Sequence, residues 1–311
     1  MLVMRRRTRT GRLAVPRVLA VDRRVWTLLP WLPIAPLRRQ RSRTKGARVI
    51  FVLRTLGASA LVIWFYVTSW FVLSLALKRN DVADVAWGLG PTVLGWWLFG
   101  RAGVLGATPL LLAAVLVSVW GVRLAWHIAA RDFAPGRGED ARYAAWRKEW
   151  HYFTLRSYLQ VFLLQGLLML LVSMPLIVLA SWPPPALPVL TALGAVLWFV
   201  GFGFESVADR QLASFLAQPR ESRPRIMDTG LWAWSRHPNY FGESLMWWGL
   251  AIIALGVPLG WLGLIGPVTI TLLLVFVSGI PLAEQRHAGE TDWDAYRERT
   301  SAFLPMPPRK N

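Results

Sequence analysis

The feature that most constrains the fold is the recurrence of apolar runs close to or above the length of a membrane span. A helix that crosses the hydrocarbon core needs about 20 mostly apolar residues. The chain is 55% hydrophobic and only 17% charged, and its charges gather between the apolar runs. We place the runs at residues 52–77, 85–100, 104–126, 158–181, 186–206, 240–257 and 261–283. The sequence therefore predicts an all-α, polytopic membrane protein, a bundle of seven transmembrane helices.

The connections between these runs predict the orientation. Arginines gather in 127–157, in 207–237 and in the C-terminal tail, whereas the turns at 182–185 and 258–260 have no Lys or Arg. Basic loops stay on the cytoplasmic side of a membrane. We therefore expect cytoplasmic basic loops and a cytoplasmic C-terminus.

Residues 1–48 differ from the rest of the chain. They hold 14 of the 35 Lys and Arg residues, opposed only by Asp22, so most of the net charge of +18 comes from them. Nucleic-acid binding is not favoured, because only Trp26 and Trp31 offer aromatic stacking among these charges. We predict a basic, disordered extension that touches anionic lipid headgroups, or a gene start placed too far upstream, followed by a membrane domain at 49–311.

Two absences narrow the chemistry. The sequence has no cysteine and four scattered histidines, none of which pair four residues apart. Thiolate chemistry is excluded, and we expect no metal site.

The most informative stretch is residues 225–249, in which a basic polar segment runs into an apolar helix: RIMDTGLWAWSRHPNYFGESLMWWG. Glu243 follows Asn239 by about one helical turn, so the two side chains share a face. A carboxylate at membrane depth costs about 2–4 kcal/mol unless it faces a bundle interior with a partner. The pattern predicts a membrane-embedded site in which His237 is a candidate proton donor.

Arginines just before this helix predict an anion site. Arg220, Arg223 and Arg225 lie within six residues, and Pro238 suits the first position of a helix. Guanidinium groups and the free N–H groups of a helix start both favour phosphate. A solvated basic loop is the alternative interpretation.

Acidic residues supply further candidates. Asp84 begins the second apolar run, where it would polarise a substrate carbonyl or cap the helix. Glu205 and Asp209 stand four residues apart at the end of the fifth run.

Several of these motifs resemble one known family. GLWAWSRHPNYFGE at 230–243, ADRQL at 208–212 and AYRERTSAFLP at 295–305 are similar to the C-terminal domain of steroid 5-alpha-reductases, and closest to their bacterial branch. WGVRLAWHIAARD and GEDARYAAWRKEW, followed by FLLQ, are typical of that branch. The resemblance covers about residues 80–308. Sterol reductases and, in variant form, isoprenylcysteine and phospholipid methyltransferases share this terminal architecture.

The resemblance implies NADPH held at the cytoplasmic side, beneath a lipid-accessible substrate pocket in a bacterial inner membrane. The tyrosine with which the animal enzymes polarise the substrate is replaced by Trp120 here. The catalytic candidates are Asp84, His237 and Glu243. The residues expected to contact the cofactor are Arg123, Arg131, Asp209, Arg225, Arg236, His237, Asn239, Tyr240, Glu243, Glu284, Arg286 and Tyr296.

The expected function is therefore NADPH-dependent reduction of an activated carbon–carbon double bond in a lipid-like or steroid-like substrate. Two alternatives remain open from the sequence. One is an S-adenosylmethionine-dependent methyltransferase that acts on a lipid or prenylcysteine. The other is a non-catalytic, lipid-binding membrane protein with the same fold.

Overall fold

The computed structural model describes residues 45–102, 108–182, 188–287 and 289–309. Every regular element in these ranges is helical, which confirms the predicted all-α class. The described chain belongs to one compact unit, Thr44–Asn311. The predicted N-terminal extension lies outside the described residues up to residue 44, and the first helix already begins at Lys45.

Twelve α-helices follow one another in the described ranges. They are α1 (Lys45–Leu77), α2 (Val82–Ala102), α3 (Thr108–Asp132), α4 (Ala141–Glu149), α5 (Phe153–Ser157), α6 (Leu164–Val172), α7 (Met174–Ala180), α8 (Pro188–Leu216), α9 (Pro238–Ala254), α10 (Ile265–Leu272), α11 (Ile280–Gln285) and α12 (Thr291–Arg299).

Five segments of the described chain are long and apolar enough to cross a membrane. They are Gly46–Leu77, Pro109–Asp132, Phe153–Val172, Pro188–Leu216 and Gly260–Gln285. The chain is therefore an integral membrane protein. The other two predicted spans are helical as α2 and α9, but α9 has only 17 residues and α2 contains Pro91. The count of seven spans remains a prediction.

Two of the predicted spans are segmented rather than straight. A π-helical turn, Tyr158–Leu163, joins α5 to α6, and α7 starts anew with Pro175 near its N-terminus, where a missing N–H costs no hydrogen bond. The last span contains a second π-helical turn, Leu273–Val277, and breaks at Ser278 and Gly279 before α11. Breaks of this kind often mark functional positions in helices.

Helices α8 and α9 pack closely along their length and contact through glycines. A Cβ on Gly201 would lie 2.6 Å from the carbonyl oxygen of Gly242, and a Cβ on Gly194 would lie 2.4 Å from that of Gly249. Small residues let membrane helices approach until their backbones touch. As a result, Glu205 and Asp209 on α8 lie next to the first turns of α9.

The C-terminal tail packs on the segment that leads into α9. The N–H of Arg236 donates to the carbonyl of Ser301 at 2.8 Å, and the N–H of Met306 donates to that of Trp234 at 2.9 Å. The Ser235 hydroxyl donates to the carbonyl of Phe303 at 2.9 Å. These bonds fix the tail beside the polar stretch singled out in the sequence.

Candidate active site at the start of helix α9

Arg123 on α3 and two carboxylates on α8, Glu205 and Asp209, form a polar network that Asn239 extends to α9. Arg123 donates to Asp209 at 2.9 Å and also to Glu205. The Glu205 side chain is 4% exposed and that of Asp209 is 14% exposed. Asn239 extends the network, since its amide donates to Asp209 at 3.2 Å. The structure therefore unites Arg123, Asp209 and Asn239, all three predicted to serve the cofactor.

Glu243 is buried beside this network, one turn along α9 from Asn239. It makes no hydrogen bond or ion pair with any described residue, although it lies within electrostatic range of Asp209 and Arg123. Three carboxylates thus share a single guanidinium.

Several polar atoms in the network lack a partner. Among the described residues, the indole N–H of Trp120, the Nε of Arg123 and Oε2 of Glu205 are buried without a hydrogen bond. The indole of Trp120 and the carboxylate of Glu205 lie close to each other, so each is the other's nearest candidate partner. Buried polar atoms in native proteins are nearly always satisfied, so this network is under-paired.

A cavity of about 430 Å³ opens beside this network and is called here the first cavity. Its walls come from the end of α8, the 223–227 loop, the start of α9, the end of α11 and α12. It gathers seven of the residues predicted to bind the cofactor: Arg225, Arg236, His237, Asn239, Tyr240, Arg286 and Tyr296. Of the three arginines predicted to form an anion site, Arg223 and Arg225 lie on its wall and Arg220 does not. Trp120, Arg123 and Glu205 do not line this cavity, so the under-paired network adjoins it through Asn239.

The predicted tail residues hold the cavity wall together. Glu284 accepts from Nε of Arg236 at 2.8 Å and faces Nε2 of His237 at 3.1 Å. Arg236 also donates to the carbonyls of Arg297 at 3.0 Å and Thr300 at 2.6 Å, so its guanidinium is largely occupied. Tyr296 donates to the carbonyl of Trp232, and burial raises the pKa of Tyr296 well above its usual value. In this state Arg236, Glu284 and Tyr296 therefore position the tail.

A second cavity, of about 370 Å³, lies next to the first and shares Tyr240, Ala283 and Arg286 with it. Arg131, also predicted to contact the cofactor, lines this second cavity. Two further arginines on its wall, Arg137 and Arg142, were not predicted as site residues from the sequence.

Asp84 is not brought together with the other two catalytic candidates. It accepts from Nη2 of Arg142 at 2.8 Å and from the Tyr143 hydroxyl at 2.7 Å, and it lines neither cavity. Tyr143 is buried, and that burial and Asp84 raise its pKa. Asp84 sits in a paired network at the α2–α4 contact, so its assignment as a catalytic acid stays a prediction.

Some wall residues of the first cavity were missed by sequence reasoning. Trp232, Phe215 and Trp293 contribute aromatic side chains to the wall. Trp232 and Trp293 are indistinguishable in sequence from the many tryptophans that anchor membrane proteins at the interface. Glu205, an acidic candidate from the sequence, lies in the polar network and lines neither cavity.

Comparison with known proteins yields one family and one distant relative. A family model described as "Protein of unknown function (DUF1295)" matches residues 70–300. The uncharacterised protein C594.04c of Schizosaccharomyces pombe is 23% identical over 265 residues, which cover 75% of this chain and 74% of the yeast protein. No solved structure matches. Because the match spans most of the helical unit, including both cavities, the chain belongs to the DUF1295 family.

Proposed function

We propose that this protein is an NADPH-dependent membrane reductase of the steroid 5-alpha-reductase type, which reduces an activated carbon–carbon double bond in a lipid-like substrate. The carrying observation is the first cavity, where exposed arginines and aromatic walls adjoin a buried, under-satisfied carboxylate network. In this proposal the helical unit crosses the membrane seven times, with α2 and α9 as the additional spans and the tail in the cytoplasm.

The residues on the walls fit a phosphorylated dinucleotide. Arg223 and Arg225 reach the cavity from a loop, and Arg286 reaches it from the end of α11. Guanidinium groups donate paired hydrogen bonds to phosphate. Trp232 and Trp293 contribute apolar, aromatic wall to the cavity, although both are buried and Trp293 already stacks on His287 with ring centroids 4.5 Å apart. The carboxamide of Asn239 lies on the cavity wall. Glu243 lies one turn further along α9, buried behind that wall, and lines neither cavity.

NADPH bound here would supply a hydride equivalent. The protein would orient the cofactor and supply the proton that the reduction consumes. Asn239, already held by Asp209, and Glu243 would orient the nicotinamide end, while the arginines hold the phosphates. Reduction of an enone also consumes a proton, for which His237 is the candidate donor, since Nε2 is held 3.1 Å from Glu284.

The test is ligand-induced stabilisation of the detergent-purified full chain by NADPH, NADH and S-adenosylmethionine. We expect saturable, NADPH-selective stabilisation, weakened in Arg225→Gln because Arg225 lines the first cavity with no ion pair closer than 3.9 Å. Arg210→Gln makes the same charge change outside both cavities and should bind NADPH like the wild type.

Other outcomes would overturn the proposal. Selective stabilisation by S-adenosylmethionine would assign the cavity to a methyltransferase. Stabilisation by none of the three would leave a lipid-binding protein with this fold. An enone screen in detergent then tests the reaction itself, with consumption of NADPH as the readout.

A further inference from the structure

The second cavity has the composition of an anion site although no role is assigned to it as a whole. Four arginines and two aspartates line it, so it carries a surplus of two positive charges: Arg131, Arg137, Arg142, Arg286, Asp132 and Asp140. Asp84 does not line the cavity but pairs with Arg142. When its negative charge is included, the group still has a surplus of one positive charge.

The aspartates do not neutralise all of these arginines. Asp132 is committed to Arg131 at 2.7 Å, and its distance from Arg137 is 4.0 Å. Arg286 makes no ion pair or hydrogen bond with any described residue. Arg137 and Arg286 are therefore the cations of this cavity with donors to spare.

The loop that carries Arg137 is held in place. Arg79 reaches across from the end of α1 and donates to the carbonyl of Asp132 at 2.8 Å and to that of Gly138 at 3.0 Å. Its own charge is occupied by Asp81 at 2.6 Å. Both ends of the loop are thus anchored, which positions the Arg137 backbone before any ligand arrives.

The opposite wall of this cavity belongs to the last spanning segment. Ser278, Gly279 and Leu282 line it at the break before α11. The neighbouring apolar side chains point outward: Phe276 is 69% exposed and Val277 is 59% exposed. In a span that crosses the bilayer, such exposed apolar side chains face lipid.

One cavity therefore combines an arginine-lined interior with a rim made by a lipid-facing helix break. We propose that the second cavity binds the phosphate headgroup of an anionic lipid, whose acyl chains leave along Phe276, Val277 and Leu282. An amphiphile with one phosphate matches both the surplus charge and the apolar rim. The inference does not depend on the reaction proposed for the first cavity.

Calorimetry on the detergent-purified full chain separates the sources of the phosphate. The probes are short-chain phosphatidic acid, phosphatidylcholine with the same chains, and inorganic phosphate. We expect phosphatidic acid to bind at least about tenfold more tightly than either, because only it offers both an accessible anionic phosphate and chains. Equal binding of inorganic phosphate would overturn the lipid assignment.

Two variants locate the binding. Arg137 lines only the second cavity and Arg225 only the first. We expect Arg137→Gln to weaken phosphatidic acid binding about fivefold, as for one arginine near an anionic lipid, and to leave NADPH binding unchanged. Arg225→Gln should do the reverse, while Arg210→Gln changes neither.

The variant that lines only the second cavity completes the test, because Arg286 lines both cavities and is shared between the two ligands. If Arg137→Gln weakens NADPH as much as Arg225→Gln does, the two cavities form one nucleotide site and the proposal fails. If phosphatidic acid binding is unchanged in a folded Arg137→Gln variant, checked by thermal unfolding, the proposal fails as well.

Discussion

Two polar networks in this molecule contain the same residue types, but they differ in whether each acidic side chain has an arginine partner. Around the start of α2, the end of α3 and α4, each acid has an arginine partner: Asp81 with Arg79, Asp84 and Asp140 with Arg142, Asp132 with Arg131, and Glu139 with Arg147. Between α3, α8 and α9, Glu205, Asp209 and Glu243 share Arg123, and several buried atoms lack partners. We infer that the paired network stabilises the fold and the unpaired one awaits a ligand.

The largest effect should come from removing the one cation of the unpaired network. Arg123→Gln would leave buried carboxylates without compensation, which costs about 3–5 kcal/mol of unfolding free energy. Denaturant titration in mixed micelles measures it. The double variant Arg123→Gln with Glu205→Gln should recover much of the loss, because it removes one uncompensated charge. If Arg123→Gln alone is as stable as the wild type, the buried carboxylates do not depend on Arg123, and the contrast between the two networks is wrong.

Glu243→Gln should separate function from stability. Glu243 has no hydrogen bond or ion pair to lose among the described residues, so the unfolding free energy should stay unchanged or rise. NADPH affinity should fall about tenfold or more, as expected for one charge-assisted hydrogen bond. Ligand-induced stabilisation reports both quantities in one experiment. Full NADPH affinity in this variant would remove Glu243 from the cofactor site.

Asp84→Asn should behave in the reverse manner. It weakens the contact with Arg142 while the Tyr143 hydroxyl keeps an acceptor, so we expect a loss of about 1–2 kcal/mol in unfolding free energy. NADPH affinity should stay within about twofold of the wild type. Lost turnover at unchanged stability would instead establish Asp84 as the acid that the sequence predicts.

The smallest effect should come from Asp140, which caps α4 by accepting from the backbone N–H of Arg142 at 2.9 Å. Asp140→Ala should cost about 1 kcal/mol of unfolding free energy. Burial opposes ionisation of Asp140, but hydrogen bonds from Arg142 outweigh it and hold its pKa below the usual 3.8. Its contribution is therefore complete above that value and disappears as the pH falls through the lowered pKa. A stability difference that grows in acid would contradict this.

The helical class and the polar junction at α9 could be predicted because apolar length and buried charge leave local signals. Asn239, His237 and Tyr240 could be predicted to lie together because they cluster within a few residues of one helix start. Arg131 and Arg225 were predicted to serve one ligand, but they line different cavities. Tyr240 lines both cavities, and the position of an arginine along the chain does not show which of the two cavities it will line.

The partners of Asp84 could not be predicted for a physical reason. Arg142 and Tyr143 lie almost sixty residues further along the chain, and they meet Asp84 only because α4 folds back over the start of α2. The breaks within two of the predicted spans were equally hidden. Pro175 is a local signal, but the π-helical turns at Tyr158–Leu163 and Leu273–Val277 depend on packing.

The glycine contacts between α8 and α9 affect how the protein responds to bilayers of different thickness. Backbones that touch leave no flexible side chains between Glu205 and Glu243 to take up a change of spacing. When bilayer thickness changes, helices respond mainly by tilting. The two helices should then tilt as one body, so that the distance between their acids stays the same in thin and thick bilayers.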